Sequence, residues 1–263
     1  NHLPLRFASG ELAAHIRGER GERDRPIPKA MLATGDVAAG HLTDHGYPRG
    51  RIAICGPQRH GALIDYLRWR VESRAETRRR LGLLGNTRIF FVATGSIESE
   101  NEAFFAVLSE ACAGVGDFRL IVKTHPAKPF EDSVLRNALD MIGRDHATLM
   151  PHDGALYDYL TAADALICIP SGMVFEALSL NVMPITFEDP ATFSANSLAD
   201  FESAIYIVRD VNTMRNALQD VIADGGGAQS KRRIWHDTVA RVFADVITPL
   251  DAQLKRALDQ LGV

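Results

Sequence analysis

The sequence predicts an α/β fold, a Rossmann-like parallel sheet with helices on both faces, and three observations predict it. The first is a set of short runs that are apolar at nearly every position: RIFFVA at 88–93, FRLIVK at 118–123, ALICI at 165–169 and MPITF at 183–187. A strand with one solvated face alternates, whereas a strand covered on both faces reads as an unbroken hydrophobic run. The second is that segments of helical length and composition separate these runs, which is the βαβ rhythm of a parallel sheet. The third is where the runs stop. The first three give way to Gly, Ser, Lys, Thr or His, and in an open parallel sheet ligands bind beyond the carboxyl ends of the strands.

Taken in order, Gly18 to Pro28 (GERGERDRPIP) is charged and carries Gly and Pro, so it reads as a loop or poorly ordered connection. Met31 to Thr34 reads as a short strand, Val37 to His45 as a helix closed by Gly46-Tyr47-Pro48, and Arg51 to Cys55 as a strand stopped by Gly56-Pro57. Leu63 to Leu81, rich in Arg, Glu, Leu and Ala, is expected to be largely helical until Gly82 and Gly85 interrupt it. From Arg88 the alternation is regular. Strands are expected at 88–93, 118–123, 147–150, 165–169, 183–187 and 204–208, with helices at 100–113, 130–142, 155–163, 173–180 and 212–223. Gly225-Gly226-Gly227 reads as a flexible joint. Ile234 to Leu261 follows as one or two amphipathic helices, with Val239, Val242, Phe243, Val246 and Ile247 on the apolar side and Pro249 breaking the run.

Composition bounds the rest. With 263 residues, 46% hydrophobic and 24% charged, the chain is long enough for one large domain or two modest ones. A net charge of −4 and a pI near 6.1 argue against a broad nucleic-acid surface. Cys55, Cys112 and Cys168 are odd in number and far apart, with no CxxC pair, which argues against a disulfide scaffold or structural zinc and fits a reducing cytoplasm. No apolar run approaches the ~20 residues that cross a bilayer, and no secretory signal is visible.

The candidate site residues sit at the strand ends. Lys123 and His125 lie two apart, so an extended chain points both to one side; a fixed charge and a ring N–H suit phosphate oxygens, and Pro126 stops the strand. Pro170-Ser171-Gly172 precedes a helix, where Ser171 can cap or donate to phosphate and Gly172 admits a ligand to the backbone. Glu176 lies in the otherwise apolar MVFEAL, where a carboxylate needs a partner or an open crevice; accepting hydrogen bonds from ribose hydroxyls is one use, a salt bridge another. Thr94-Gly95-Ser96 closes the first core strand and is neither a GxGxxG nor a Walker A turn. Weaker candidates are Gly56-Pro57-Gln58-Arg59-His60, which could face the same cleft or simply turn, His152-Asp153, and Glu188-Asp189, a pair that could bind hydroxyls or a cation but is more often solvated. There is no nucleophile elbow and no HExxH.

The Gly loop at 94–96, then Lys123-Thr124-His125-Pro126, then DALICIPSG at 164–172, then Phe175-Glu176-Ala177-Leu178 and a Pro-led strand, together resemble the C-terminal, donor-binding domain of GT-B glycosyltransferases. The nearest resemblance is to bacterial surface and capsular polysaccharide transferases, including sialyl and Kdo transferases and CDP-glycerol glycerophosphotransferases. Their Lys/Arg-x-His-Pro and Ser-Ser/Gly…Glu-Ala motifs match Lys123, His125, Pro126, Ser171, Gly172, Glu176 and Ala177. The resemblance implies residues 1–50 as the tail of an N-terminal domain or linker, 51–227 as the donor-binding domain, and 228–263 as C-terminal helices. It implies a metal-independent transfer of a sugar or related group from a nucleotide-activated donor to a surface glycan. Lys123 and His125 would be catalytic, and Gly95, Ser96, Pro126, Ser171, Gly172 and Glu176 would hold the donor. No cofactor, metal or nucleic acid is expected; the partners are the nucleotide sugar, the glycan acceptor, and a peripheral membrane or oligomeric association at the inner face. Two alternatives stay open: a nucleotide-sugar 2-epimerase of the same fold, and a nucleotide-sugar-binding domain without catalysis.

Overall fold

The structure is a computed structural model that describes residues 28–83, 85, 87–126, 139–140, 142–143, 146–151, 155–190 and 198–262. The expected loop before Pro28, most of the helix expected at 130–142, and His152-Asp153 therefore lie outside the described residues. The chain divides into two compact units, residues 71–236 and residues 1–70 with 237–263.

The 71–236 unit is built on six parallel strands: β3 (Arg88–Ala93), β4 (Phe118–Lys123), β5 (Ala147–Leu149), β6 (Ala165–Cys168), β7 (Met183–Phe187) and β8 (Tyr206–Val208). Their spatial order is β5-β4-β3-β6-β7-β8. The chain builds the sheet outward from β3 on one side, returns to the middle, and builds outward from β6 on the other. That is the doubly wound arrangement, with its reversal between β3 and β6. The apolar runs are buried as their composition requires: Phe90, Phe91, Val92, Leu120, Leu166, Ile167 and Ile185 are almost fully enclosed. Each such side chain contributes roughly 1.5–3 kcal/mol of transfer free energy. Four helices supply much of the cover: α4 (Glu98–Cys112), α5 (Leu156–Ala162), α6 (Met173–Ser179) and α7 (Val211–Ala223). Phe104 of α4 packs its ring against Phe187 at the end of β7, their centroids 6.0 Å apart.

The stretch from Leu63 to Leu81, expected to be largely helical, is divided between two helices, α2 (Gly61–Trp69) and α3 (Arg74–Arg80). The physical reason is Ser73. Its backbone is extended, its hydroxyl accepts from the Glu76 amide, and the Glu76 carboxylate accepts from the Ser73 amide, so a new helix starts there. The glycines at 225–227 are not a joint either; helix α8 (Gly226–Arg232) begins among them. Asp220 causes this. Its carboxylate accepts from the Ala228 amide at 2.8 Å and from the Tyr206 hydroxyl, and a Cβ on Gly225 or Gly227 would run into it. The glycines are there for close approach.

The other unit contains a two-stranded parallel pair, β1 (Met31–Ala33) and β2 (Ile52–Ile54), connected by α1 (Asp36–Asp44). Thus the strand at Arg51 to Cys55 belongs with β1 rather than with the large sheet. Ala33, Ala39, Tyr47 and Ile52 form one small core, and Ala53, Cys55 and Ala257 another. The C-terminal segment forms α9 (Trp235–Phe243) and α10 (Leu250–Leu261), with Pro249 at the N-cap of the second, where a missing N–H costs nothing. Val242 and Phe243 are buried as expected, but Ile247 is exposed, because the 244–249 turn rather than a helix carries it.

Candidate functional site

The site is assembled by register. Ala93 at the end of β3 pairs with Lys123 at the end of β4 and with Cys168 at the end of β6. Three loops therefore leave the sheet at one level, beside the reversal in strand order, where an open α/β sheet leaves a crevice. Helices running back from such strands begin at the same edge. This puts the first turns of α5 and α6, with Tyr157 and Glu176, alongside Lys123.

Lys123 is half-buried. Burial lowers its pKa below the ordinary lysine value, and the Glu176 carboxylate nearby pulls it back up. Its ammonium has one weak protein acceptor, the Thr124 carbonyl at 3.4 Å. Glu176 in turn accepts a hydrogen bond from the Tyr157 hydroxyl, whose pKa is raised first by burial, then by the carboxylate's charge and the hydrogen bond. The three side chains form one polar cluster at the end of β4. It sets a half-buried positive charge within reach of a carboxylate's field.

The loops around this cluster are tied down. The His125 amide donates to the Thr94 hydroxyl at 3.0 Å, which fastens the β4 loop to the β3 loop. Buried Asn101, in the first turn of α4, closes the Gly95 turn: its carbonyl oxygen accepts from the Gly95 amide at 2.8 Å, and its amide donates to the carbonyls of Gly95 and Ile97. Gly95 is required by contact, since a Cβ there would meet the Ile169 side chain. Ser96 and Pro126 are exposed on the rim. Ser171 accepts from the Met173 amide at 3.3 Å, and Gly172 is the N-cap of the short helix α6 with φ −60° and ψ −22°. The hydroxyl of Ser171 thus acts as a cap and still has its own proton to give.

Of the residues singled out in the sequence, Lys123, His125, Gly95, Ser96, Pro126, Ser171, Gly172 and Glu176 all fall on these three strand ends. Gly56 to His60 lie in the other unit, where Gly56 takes a φ of 74° and packs against Gln253. Glu188 is buried rather than solvated: it pairs with Arg209 at 3.2 Å and accepts from the Leu198 amide at 3.2 Å, a structural use. Cys168, one residue from the crevice, is enclosed, and burial pushes its thiol up to about 12, so it offers no nucleophile. Among the described residues no His, Cys, Asp or Glu group could hold a metal ion. Sequence reading missed Tyr157 and Asn101. The signal for Asn101 was an amide seven residues beyond Thr94 in the first turn of the helix; for Tyr157 it was a hydroxyl in the first turn of the helix preceding β6.

A family model described as capsule polysaccharide biosynthesis protein matches residues 90–220, a span that holds every one of these site residues. No curated protein sequence matches the chain. Among solved structures, the chain is similar to MnaA of S. aureus, solved with UDP, at a TM-score of 0.64 and 13% identity, covering 90% of this chain and 62% of that one. It is similar to UDP-GlcNAc 2-epimerase of Neisseria meningitidis bound to UDP-GlcNAc, at a TM-score of 0.59 and 11% identity, covering 89% and 62%. It is also similar to WaaG, a glycosyltransferase involved in lipopolysaccharide biosynthesis, at a TM-score of 0.55 and 16% identity, covering 92% and 65%. At such identities the likeness is one of fold, and it is the GT-B-type α/β fold expected from the motifs. The chain spans about 62% of the length of MnaA.

Proposed function

We propose that a chain with this GT-B-type fold binds a nucleotide-activated sugar at the β3–β4–β6 edge, and that the protein transfers the sugar, or a related group, to a surface polysaccharide. The observation that carries this reading is the cluster of Lys123, Glu176 and Tyr157 beside the strand-order reversal. A half-buried ammonium suits a diphosphate, and the carboxylate whose charge acts on it suits ribose hydroxyls. The match to the capsule polysaccharide model and the nucleotide-bound neighbours support the same ligand class.

In the transfer, the bond between the sugar's anomeric carbon and the donor phosphate breaks, and its electron pair leaves with the nucleotide. An acceptor hydroxyl attacks the carbon and gives up its proton to a base. Negative charge grows on the leaving phosphate, and fixed positive charge already aimed there lowers the barrier without reorganisation. Lys123 supplies that charge, His125 donates a hydrogen bond, and Ser171 with the Gly172 turn supplies further donors. Gly95 and Ser96 bring backbone close to the ligand, and Pro126 shapes the rim. Glu176 holds the ribose. The reaction belongs at the inner face of the membrane, in a reducing compartment that leaves the three buried thiols unpaired; no helix among the described residues is long and apolar enough to cross a membrane.

A thermal-shift screen with UDP, CDP, CMP, GDP and their sugar or glycerol conjugates tests the reading. A ligand that binds only the native state, at a hundred times its Kd, adds about 2.7 kcal/mol of stability. We expect one nucleotide to raise the melting temperature and Lys123→Ala to abolish the shift; no shift with any of them would overturn the proposal. The epimerase reading is favoured by the likeness to the N. meningitidis enzyme. It predicts inversion at C2 of UDP-GlcNAc without any acceptor, which proton NMR detects directly.

A further inference from the structure

We propose that Asn101 is a positioning residue of the donor site. Its buried carboxamide sets the turn after β3 so that backbone amides meet the donor's diphosphate, and the preference for a nucleoside diphosphate over its bare nucleoside depends on it. The inference rests on the donor-site reading above and adds to it a residue and the part of the ligand that residue serves.

Three observations carry it. The first is the grip itself. The Asn101 side-chain oxygen accepts from the Gly95 amide at 2.8 Å, and its nitrogen donates to the Gly95 carbonyl at 3.1 Å and to the Ile97 carbonyl at 2.7 Å. One side chain thus holds both backbone groups of Gly95, as a neighbouring strand would, and one of Ile97. A carboxamide carries the acceptor and the two donors that this needs, and both of its protons are used. That satisfies a polar group only 1% exposed. The second is what the grip leaves over. The carbonyls of Gly95 and Ile97 are engaged, whereas the Ser96 and Ile97 amides and the exposed Ser96 hydroxyl have no partner among the described residues. The turn therefore has more donors than acceptors to offer, the polarity an anion requires. The third is place. The Thr94 amide donates to the Lys123 carbonyl at 3.1 Å, and the Thr94 hydroxyl accepts from the His125 amide at 3.0 Å. The turn that Asn101 holds is therefore tied to the strand end that carries the charge. Ile169, just past β6, leaves no room for a Cβ on Gly95, so backbone itself is the surface there.

The sequence explains why Asn101 reaches the turn. Asn101, Phe104, Phe105 and Leu108 follow the i, i+3, i+4, i+7 spacing of one helix face, and all four are buried. The three apolar residues fix the rotation of α4, with Phe104 against Phe187. In that orientation the remaining position of the stripe, in the helix's first turn, meets the β3 turn. A leucine there would fill the space but leave the Gly95 peptide without its partners. The Asn101 backbone amide also donates to the Ile97 carbonyl, at 3.2 Å, so main chain and side chain hold that carbonyl together.

The test is calorimetric. Whichever of UDP, CDP and GDP binds best is compared with its monophosphate and its nucleoside on the parent chain, on Asn101→Leu and on Asn101→Asp. The leucine keeps the bulk without the hydrogen bonds; the aspartate keeps the acceptor for the Gly95 amide and loses both donors. In each variant the ratio of diphosphate to nucleoside affinity is expected to fall about tenfold, the worth of one hydrogen bond to a charged group, while nucleoside affinity holds. Equal losses for all three ligands would overturn the proposal, since they mark a residue that only supports the fold. So would a variant that keeps the parent's ratio. A new carboxylate also repels the diphosphate at a distance, so the neutral leucine variant decides: a loss confined to Asn101→Asp overturns the proposal too. A parent that binds diphosphate and nucleoside equally overturns it while leaving a nucleotide site standing; a parent that binds none removes the donor-site reading as well. Hydrogen exchange on the parent reads the same claim without any substitution. The Ser96 amide is expected to exchange freely in the unliganded protein and to gain protection with saturating diphosphate but not with nucleoside; no gain with the diphosphate would overturn the proposal.

Discussion

Lys123 illustrates what a single residue's surroundings can decide. Burial lowers its pKa below 10.5, so the folded protein holds the proton less tightly than the unfolded chain. The sign follows: the stability linked to this shift is present above the unfolded value and lost as pH falls through the folded one, so at neutral pH the buried charge is a cost. A diphosphate beside the ammonium offsets that cost and raises the pKa again. Nucleotide binding should therefore take up a proton in the window just below 10.5, and affinity should fall as pH rises through that window. Calorimetry in two buffers of different ionisation enthalpy measures the uptake, and Lys123→Met should remove it along with most of the affinity. Lys123 and Glu176 were legible in the sequence because charges interrupt apolar runs where such runs end. Tyr157 was not, since tyrosine is ordinary in a half-buried helix and only the fold reveals that it faces Glu176.

At the scale of elements, the six strands were readable because each is buried on both faces and so hydrophobic throughout. Failures came where one polar side chain redirects the backbone. Ser73 divides what composition alone presents as a continuous helix, and Asp220 turns three glycines into a helix start. The Ser73…Glu76 spacing carried the information, but the surrounding arginines and leucines favour helix on either side of it. Ser73→Ala should cost about 1 kcal/mol, the usual worth of an N-cap, measured by urea unfolding. A larger loss is expected at Asp164, at the start of β6. Its carboxylate accepts from Arg78 at 2.8 Å, from Arg88 at 3.4 Å and from the Ile89 amide at 2.8 Å, which joins α3, β3 and β6 at one point. Asp164→Ala removes the carboxylate shared by two guanidinium groups, which keep only the Ala162 and Ile222 carbonyls, and leaves the buried Ile89 amide unpaired, and should destabilise the 71–236 unit by about 3 kcal/mol. The same urea titration reads it, and a loss below that of Ser73→Ala would mean that the two carbonyls alone satisfy the arginines.

The whole molecule's response to alkali follows from what its core encloses. Cys112 lies at the end of α4 and Cys168 at the end of β6; both are buried, and burial pushes each thiol up to about 12. The folded state therefore keeps protons that the unfolded chain releases near 9. For a raised pKa the associated stability is fully present below the unfolded value and lost as pH climbs toward the folded one, so the 71–236 unit should weaken between pH 9 and 12. Two thiols each contribute about 1.4 kcal/mol per pH unit in that window, about 3 kcal/mol together. Tyr157 and Tyr206, whose hydroxyls are raised by burial and by their carboxylate partners, add to the loss once unfolded tyrosine begins to ionise at 10.0. Lys123 and Lys231, whose pKa values burial lowers, work in the opposite direction, but two half-buried lysines cannot balance four such groups. Urea titrations at pH 8 and pH 10.5, followed by the fluorescence of buried Trp235, should show the midpoint falling steeply; the Cys112→Ala, Cys168→Ala double variant should fall less. Thiol labelling gives an independent reading. Because Cys55 is also buried, none of the three should react in the native protein at pH 8, and all three should react in denaturant. A native-state reaction of Cys112 or Cys168 would show that the sheet and its helices open far more readily than so enclosed a core permits.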